Sequence, residues 1–232
     1  MARTITHQDN DESKPALFGE ENHLEISQQR SFASLIFELL SEKTPSKQEE
    51  KIFELILNLS IDHGPNSPSG VATVNAAKDG KTLSEAIAAG ILQINESHGG
   101  AIEPCMEILY KIRNTKYEIG NLVEEYLKEG KRMPGFGHRV YKEADPRTQL
   151  IFKKLEEAGL GGEFIKVAKD LEAELKAQKG ITLPANIDAA IAVVLCSFGW
   201  EAKLANAVFI IARTPGLCAH YLNNTASPIS SP

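Results

Sequence analysis

The 232-residue chain is 42% hydrophobic and 24% charged, long enough for a buried core and ordinary for a globular protein. Its formal net charge of -6 argues against a general nucleic-acid binder, which carries a basic face, but leaves room for an anionic small molecule met by locally gathered cations. Only 6% of residues are aromatic, which favours helices over strands. Three cysteines, Cys105, Cys196 and Cys218, show no CxxC spacing. Neither a disulfide framework nor a zinc cage is expected from them, and a reducing, cytoplasmic setting is. The first residues hold no apolar signal region, and no apolar run has the length to span a bilayer.

In chain order, residues 1 to about 25 are polar and aperiodic and read as a loose arm. Phe32, Leu35, Ile36, Leu39 and Leu40 recur at helical spacing up to the Thr44-Pro45 break. Ser46 with Glu49 has capping-box spacing and opens a helix carrying Ile52, Leu55, Ile56 and Leu59. A dense run of breakers follows, Asp62 to Gly70. Small apolar stretches cover Val71 to Ala77 and Leu83 to Ile94, the second capped by Thr82 and Glu85. That second stretch is apolar nearly all round, which predicts burial in the core or at a subunit interface. A helix through Met106 and Leu109 comes next, then a more charged one to Lys128 that Thr115 and Glu118 are placed to cap. Asp145 as N-cap and Pro146 at N1 start a helix through Leu155. A charged helix over about 163–178 precedes a strongly apolar run, Ala189 to Phe198. The last periodic segment, Lys203 to Ala212, meets Arg213-Thr214-Pro215-Gly216, and a short apolar piece ends at Leu222 before a Ser- and Pro-rich tail. No strand alternation and no repeat stands out; the chain reads as all-α.

Three of the six histidines, His63, His98 and His138, sit beside glycines in breaker-rich turns. His138 follows Met133-Pro134-Gly135-Phe136-Gly137, where glycines permit positive φ and close backbone approach to a ligand. Lys128, Lys131, Arg132, Arg139 and Lys142 crowd this loop, with Glu129 against them. A bland alternative has each histidine satisfying helix-end carbonyls. Separations of 35 and 40 residues, without HxH or HExxH, give no support to a metal site. A dinucleotide loop fails because Gly135-Phe136-Gly137 follows a charged helix and lacks the third glycine. Cys196, in an apolar run, reads as an inert buried thiol. Asp188 precedes that same run and is open to two readings, a helix N-cap or a carboxylate whose pKa is raised for general-base work. Arg147 and Arg213 lie near prolines at helix edges, with the planar fork suited to carboxylates.

The stretch Gly135-Phe136-Gly137-His138-Arg139-Val140-Tyr141-Lys142-Glu143-Ala144-Asp145-Pro146-Arg147 resembles the signature motif of citrate synthases. His98-Gly99-Gly100-Ala101, Asn186-Ile187-Asp188, Ile61-Asp62-His63-Gly64 and Arg213 resemble further family segments, in matching order from about Ser31 to Leu222. The resemblance implies an all-α fold with a larger helical lobe (26–98 and 200–232), a smaller mobile lobe (99–199) and a homodimer. It implies His98, His138 and Asp188 as catalytic residues, and His63, Arg147 and Arg213 as substrate carboxylate contacts. Pro134, Gly135, Phe136, Gly137 and Lys142 would meet coenzyme A, which acts as a thioester substrate rather than a resident cofactor, with no metal. The implied reaction joins acetyl-CoA and oxaloacetate, as in the tricarboxylic acid cycle. Short relatives resembling the citryl-CoA lyase module of ATP-citrate lyase run it in reverse, and the Ile61 to Pro65 segment looks like that branch. The family also places an arginine beyond the equivalent of Arg213, and this sequence has none there. The direction of reaction, and a non-catalytic CoA- or citrate-binding relative, therefore stay open at this stage.

Overall fold

The computed structural model describes residues 4–6, 13–95, 98–115 and 117–225. Parts of the expected arm and most of the tail lie outside the described residues. The chain divides into two compact units, Met1–Leu55 and Ile56–Pro232. In the first, strands β1 (Ile5–Thr6), β2 (Leu17–Phe18) and β3 (Glu21–Asn22) form an antiparallel sheet in that order. Helix α1 (His23–Gln29) follows, capped by the Asn22 side chain. Two-residue strands carry no alternation, so nothing in the sequence distinguished them from a loose arm.

Helix α2 (Phe32–Ser41) is capped by Ser31 and buries Ile36 and Phe37, the latter edge-on to Phe53 at 5.4 Å. Phe32, read as part of the apolar face, is 78% exposed at the first turn. Helix α3 (Lys47–Ser60) opens with the expected capping box: the Glu49 N–H donates to Ser46 Oγ at 3.2 Å and the Ser46 N–H to Glu49 Oε2 at 2.8 Å.

In the second unit, α4 (Pro68–Lys78) starts three residues earlier than read. Pro68 occupies the first helical position and Ser67 caps it, so breaker-type residues here begin a helix rather than fill a loop. Helix α5 (Leu83–Ile91) carries the predicted Thr82–Glu85 box. It is not buried on most sides within the chain: Ala86 and Gly90 are buried, while Leu83 and, just past the helix, Leu92 are exposed. Helix α6 (Ile102–Thr115) uses Thr115 as its own last residue, with the hydroxyl donating to the Lys111 carbonyl. Helix α7 (Ile119–Lys128) is therefore not capped by Thr115; Glu118 holds its N-cap position.

Helices α8 (Pro146–Glu157) and α9 (Gly162–Lys179) lead to α10 (Ile187–Ser197), which packs against α6, α8 and α9. Every residue of α10 from Ala189 to Cys196 is buried. Its alanines admit close neighbours, and Ile191, Val193, Val194 and Leu195 each contribute about 1.5–3 kcal/mol by leaving water. Helix α11 (Ala205–Thr225) runs straight through Pro215, where the sequence suggested an interruption. A proline inside a helix costs about 3 kcal/mol in lost hydrogen bonding and strain. The buried stripe Val208, Phe209, Ala212, Arg213, Gly216, Leu217 and His220, with α4 and α5 packed against the helix, offsets it. The all-α expectation is met: the described residues form eleven α-helices, with strands confined to the first 22 residues.

Candidate active site

The glycine loop and the start of α10 are bound to each other through their backbones. The Gly137 N–H donates to the Pro184 carbonyl at 2.8 Å, and the Asn186 N–H to the Gly135 carbonyl at 2.9 Å. The Asn186 side chain closes the arrangement, donating to the Gly137 carbonyl at 2.9 Å while its Oδ1 accepts from the N–H groups of Asp188 and Ala189. Asn186 is thus the N-cap of α10 and Asp188 is not, which removes one of the two readings of Asp188. Gly135 and Gly137 hold φ of 82° and 89°, and a Cβ on Gly135 would lie 2.9 Å from both the Ala189 Cβ and the Cys105 Sγ. We expect Gly135→Ala to cost roughly 2–5 kcal/mol, combining left-handed strain with overpacking. A thermal melt should fall by roughly 5–15 °C. The Gly130→Ala control, where nothing lies within 4 Å of the added Cβ, should bear the backbone strain alone.

Asp188 sits at the second position of α10, half-buried, with its carboxyl crowded by protein. Burial pushes its carboxyl up to about 6, against the opposing charges of Arg147 and Arg213 and with the like charge of Asp145 adding to the rise. Such a group is ionised at neutral pH yet close enough in pKa to exchange a proton there.

His138 is oriented by its own loop. Its Nδ1 accepts from the backbone N–H groups of Val140 and Tyr141 at 3.1 and 3.0 Å, so in the neutral ring the proton resides on Nε2. Burial and the charges of Arg147, Lys142 and Arg139 lower its pKa, with Asp145 opposing. Tyr141 stacks on the ring at 4.7 Å. Arg147 Nη2 lies 3.4 Å from His138 Nε2, so two donors face each other and need a shared acceptor. The Arg147 guanidinium is itself fixed by the buried Asp145 carboxylate, through Nε at 3.0 Å and Nη2 at 2.7 Å.

His98 stands at the start of the turn into α6. Its Nε2 lies 2.9 Å from the hydroxyl of Ser69, which is fully buried in α4. With the Ser69 hydroxyl donating, the ring proton rests on Nδ1. Burial, with Arg213 nearby, lowers the pKa of His98 and keeps the ring neutral. Phe209 of α11 packs edge-on against His98 at 6.4 Å, and a Cβ on Gly99 would strike that ring at 2.2 Å.

Arg213 is 1% exposed. Its Nε donates to the Ser60 carbonyl at 3.0 Å, Nη2 lies 3.4 Å from His63 Nδ1, and the guanidinium lies over the Phe209 ring at 4.7 Å. Its Nη1 is buried with no partner among the described residues. His63 keeps an exposed face, but partial desolvation, reinforced by Arg213, Arg147, His98 and His138, drops its pKa to about 4. With Nδ1 accepting from Arg213, the neutral ring presents Nε2–H.

His63 feels the charges of Arg213, Arg147, His98 and His138, and Asp188 those of Arg147 and Arg213, which links the six residues singled out as catalytic or carboxylate-contacting into one set. The set comprises three neutral imidazoles with directed N–H groups, two arginines and one carboxylate of raised pKa. It is rich in donors and poor in acceptors, the complement of a ligand bearing carboxylates and carbonyl oxygens. Of the residues expected at coenzyme A, Phe136 and Gly137 line a cavity of about 460 Å³, whose rim carries the cations Lys131, Arg132, Arg139 and Lys179. Pro134, Gly135 and Lys142 do not line it; Lys142 instead donates to the His138 carbonyl at 3.2 Å. Ser69 went unread because it lay inside the breaker run, and Asp145 because its N-cap role hid its grip on Arg147.

The family model for the citrate synthase C-terminal domain matches residues 5–230. The chain belongs to the citrate synthase family. The motif resemblance is thereby borne out. A citrate synthase from Synechocystis sp. is 33% identical over 201 residues, 82% of this chain and 49% of that protein. The chain spans about half the length of the curated citrate synthases it matches. Among solved structures, citryl-CoA lyase from Hydrogenobacter thermophilus superposes with a TM-score of 0.89 at 32% identity, covering 100% of this chain and 90% of that one. Citrate synthase from Thermoplasma acidophilum, solved as a ternary complex with carboxymethyl coenzyme A and oxaloacetate, gives a TM-score of 0.66 at 25% identity. That match covers 86% of this chain and 56% of that one.

Proposed function

We propose that this chain makes and breaks the carbon–carbon bond between the methyl carbon of acetyl-CoA and the ketone carbon of oxaloacetate, and that cleavage of citryl-CoA is its main direction. The observation that carries the chemistry is the pairing of one carboxylate of raised pKa, Asp188, with a ring of neutral donors. In the condensation direction Asp188 removes a methyl proton, and His98 Nδ1–H stabilises the enol oxygen as the thioester enolises. The enol carbon attacks the ketone carbon while His138 Nε2–H supports the ketone oxygen as it becomes the hydroxyl. Asp188 keeps the methyl proton and His138 gives its Nε2 proton to that oxygen; Asp188 then loses its proton to solvent and His138 regains one, so the addition is proton-neutral overall. Cleavage retraces these steps.

His63, Arg213 and the uncommitted edge of Arg147 hold the substrate carboxylates. The cation-rimmed cavity beside Phe136 and Gly137 receives the coenzyme A nucleotide. Coenzyme A enters as a thioester substrate. Closure of the 99–199 segment over the site would exclude water. The exposed side of α5 suits a homodimer interface. A cytoplasmic location accords with the reduced cysteines, and a place beside the tricarboxylic acid cycle with the substrates.

The cleavage direction is favoured by the closer superposition on citryl-CoA lyase, TM-score 0.89, than on the Thermoplasma acidophilum citrate synthase, 0.66. Synthase activity is the second reading, favoured by the 33% identity to a citrate synthase. Initial rates test the assignment: acetyl-CoA formed from citryl-CoA, against condensation of acetyl-CoA with oxaloacetate to citryl-CoA followed by its hydrolysis by water, which releases the thiol. Faster cleavage is expected. Faster thiol release assigns a synthase, and ligand binding without turnover in either assay removes the enzyme reading.

A further inference from the structure

Arg213, Gly216 and His220 stand at i, i+3 and i+7 on α11, a spacing that places them on one face. That face meets the segment 60–64, which carries His63. Arg213 Nε binds the Ser60 carbonyl at 3.0 Å. A Cβ on Gly216 would lie 2.3 Å from the Ile61 carbonyl oxygen, so α11 and the segment touch backbone to backbone there. His220 Nε2 lies 2.8 Å from Asp62 Oδ1. Asp62 in turn folds the turn around His63, its Oδ2 accepting from the Gly64 N–H at 3.1 Å. Burial pushes the Asp62 carboxyl up, but hydrogen bonds from His220 and from the His63 and Gly64 N–H groups outweigh it and hold the carboxyl below its usual range. His220 is 9% exposed, far more enclosed than a surface partner for Asp62 requires.

We propose that His220 is a positioning residue: through Asp62 it holds His63 in register with Arg213, so that one rigid helix sets both halves of the carboxylate clamp. It touches no substrate itself. This deepens, and rests on, the reading of His63 and Arg213 as contacts for the oxoacid. The energy involved is that of a charge-assisted hydrogen bond, reduced because Asp62 keeps 42% of its side chain exposed.

The test compares His220→Leu with His220→Gln, whose amide nitrogen can reach Asp62 from a similar position. Calorimetric affinities for oxaloacetate and for free coenzyme A are measured in each, together with the ring-nitrogen NMR shifts of His63, which need no ligand. For His220→Leu we expect oxaloacetate affinity weakened roughly 3–10-fold, coenzyme A affinity within about twofold of wild type, and a changed His63 signal. His220→Gln should restore both readouts to near wild type. The proposal is overturned if His63 signals are unmoved in His220→Leu, or if both ligands weaken equally, as general loosening would produce. Wild-type protein that ignores oxaloacetate while His63 still responds to His220→Leu would sink the substrate assignment and leave the positioning role standing.

Discussion

Asp188→Asn is expected to lower turnover by roughly 10²–10⁴-fold, the range associated with loss of a positioned general acid–base. The substitution keeps shape and removes the proton-transfer function, so coenzyme A affinity should stay near wild type. Stability supplies an independent control. With its folded pKa raised to about 6 by burial, Asp188 destabilises the native state once ionised. That cost is absent below the ordinary carboxylate pKa near 4 and fully present above about pH 6, where it reaches on the order of 3 kcal/mol. The Asn variant should therefore melt at or above the wild-type temperature at pH 8 while being nearly inactive. A residue serving only to cap α10 would keep both turnover and stability on this substitution, because asparagine caps a helix as well as aspartate does, and Asn186 already occupies the capping position.

The same group sets opposite pH limbs for the two directions. Condensation needs the carboxylate, so its kcat/KM should rise through about pH 6 and level off above. Cleavage needs the carboxylic acid to return a proton to the enol carbon, so its kcat/KM should fall above about pH 6. His63, with a pKa near 4, stays neutral through this window and contributes no limb. Parallel limbs in the two directions would rule out Asp188 as the shared proton carrier.

Arg213→Lys is the second substitution of large expected effect. Arg213 binds the Ser60 carbonyl, contacts His63 and still has a buried Nη1 without a partner among the described residues. A lysine ammonium cannot fill all three directions at once. Losing one partner of a desolvated, charge-assisted contact costs 2–5 kcal/mol, so oxoacid affinity should weaken by roughly 30-fold to several thousandfold. Weakening below about threefold would show that the free Nη1 does not meet the substrate.

Much of this site was legible because the chemistry is local in sequence. Gly135, Gly137 and His138 fall within four residues, and Asp145-Pro146-Arg147 announces a helix start. Helices α3 and α5 were legible from their caps, Ser46–Glu49 and Thr82–Glu85. What escaped were features decided by distant packing. Pro215 reads as a breaker, yet buried neighbours on either side of it hold α11 continuous. Ser69 reads as a loop residue until a helix beginning at Pro68 aims it at His98. The α5 stretch reads as buried in the core or at a subunit interface because composition does not show which of its sides the rest of the chain covers, and within the chain Leu83 and Leu92 stay exposed. Asp188 stayed ambiguous until Asn186 was seen to take the cap, leaving the carboxylate to burial and its raised pKa.

The most direct test of the account is mass analysis of the products formed from citryl-CoA in D2O. The account predicts oxaloacetate together with acetyl-CoA carrying one deuterium in its methyl group, delivered from Asp188. Citrate and free coenzyme A without acetyl-CoA, the outcome of simple thioester hydrolysis, would contradict it.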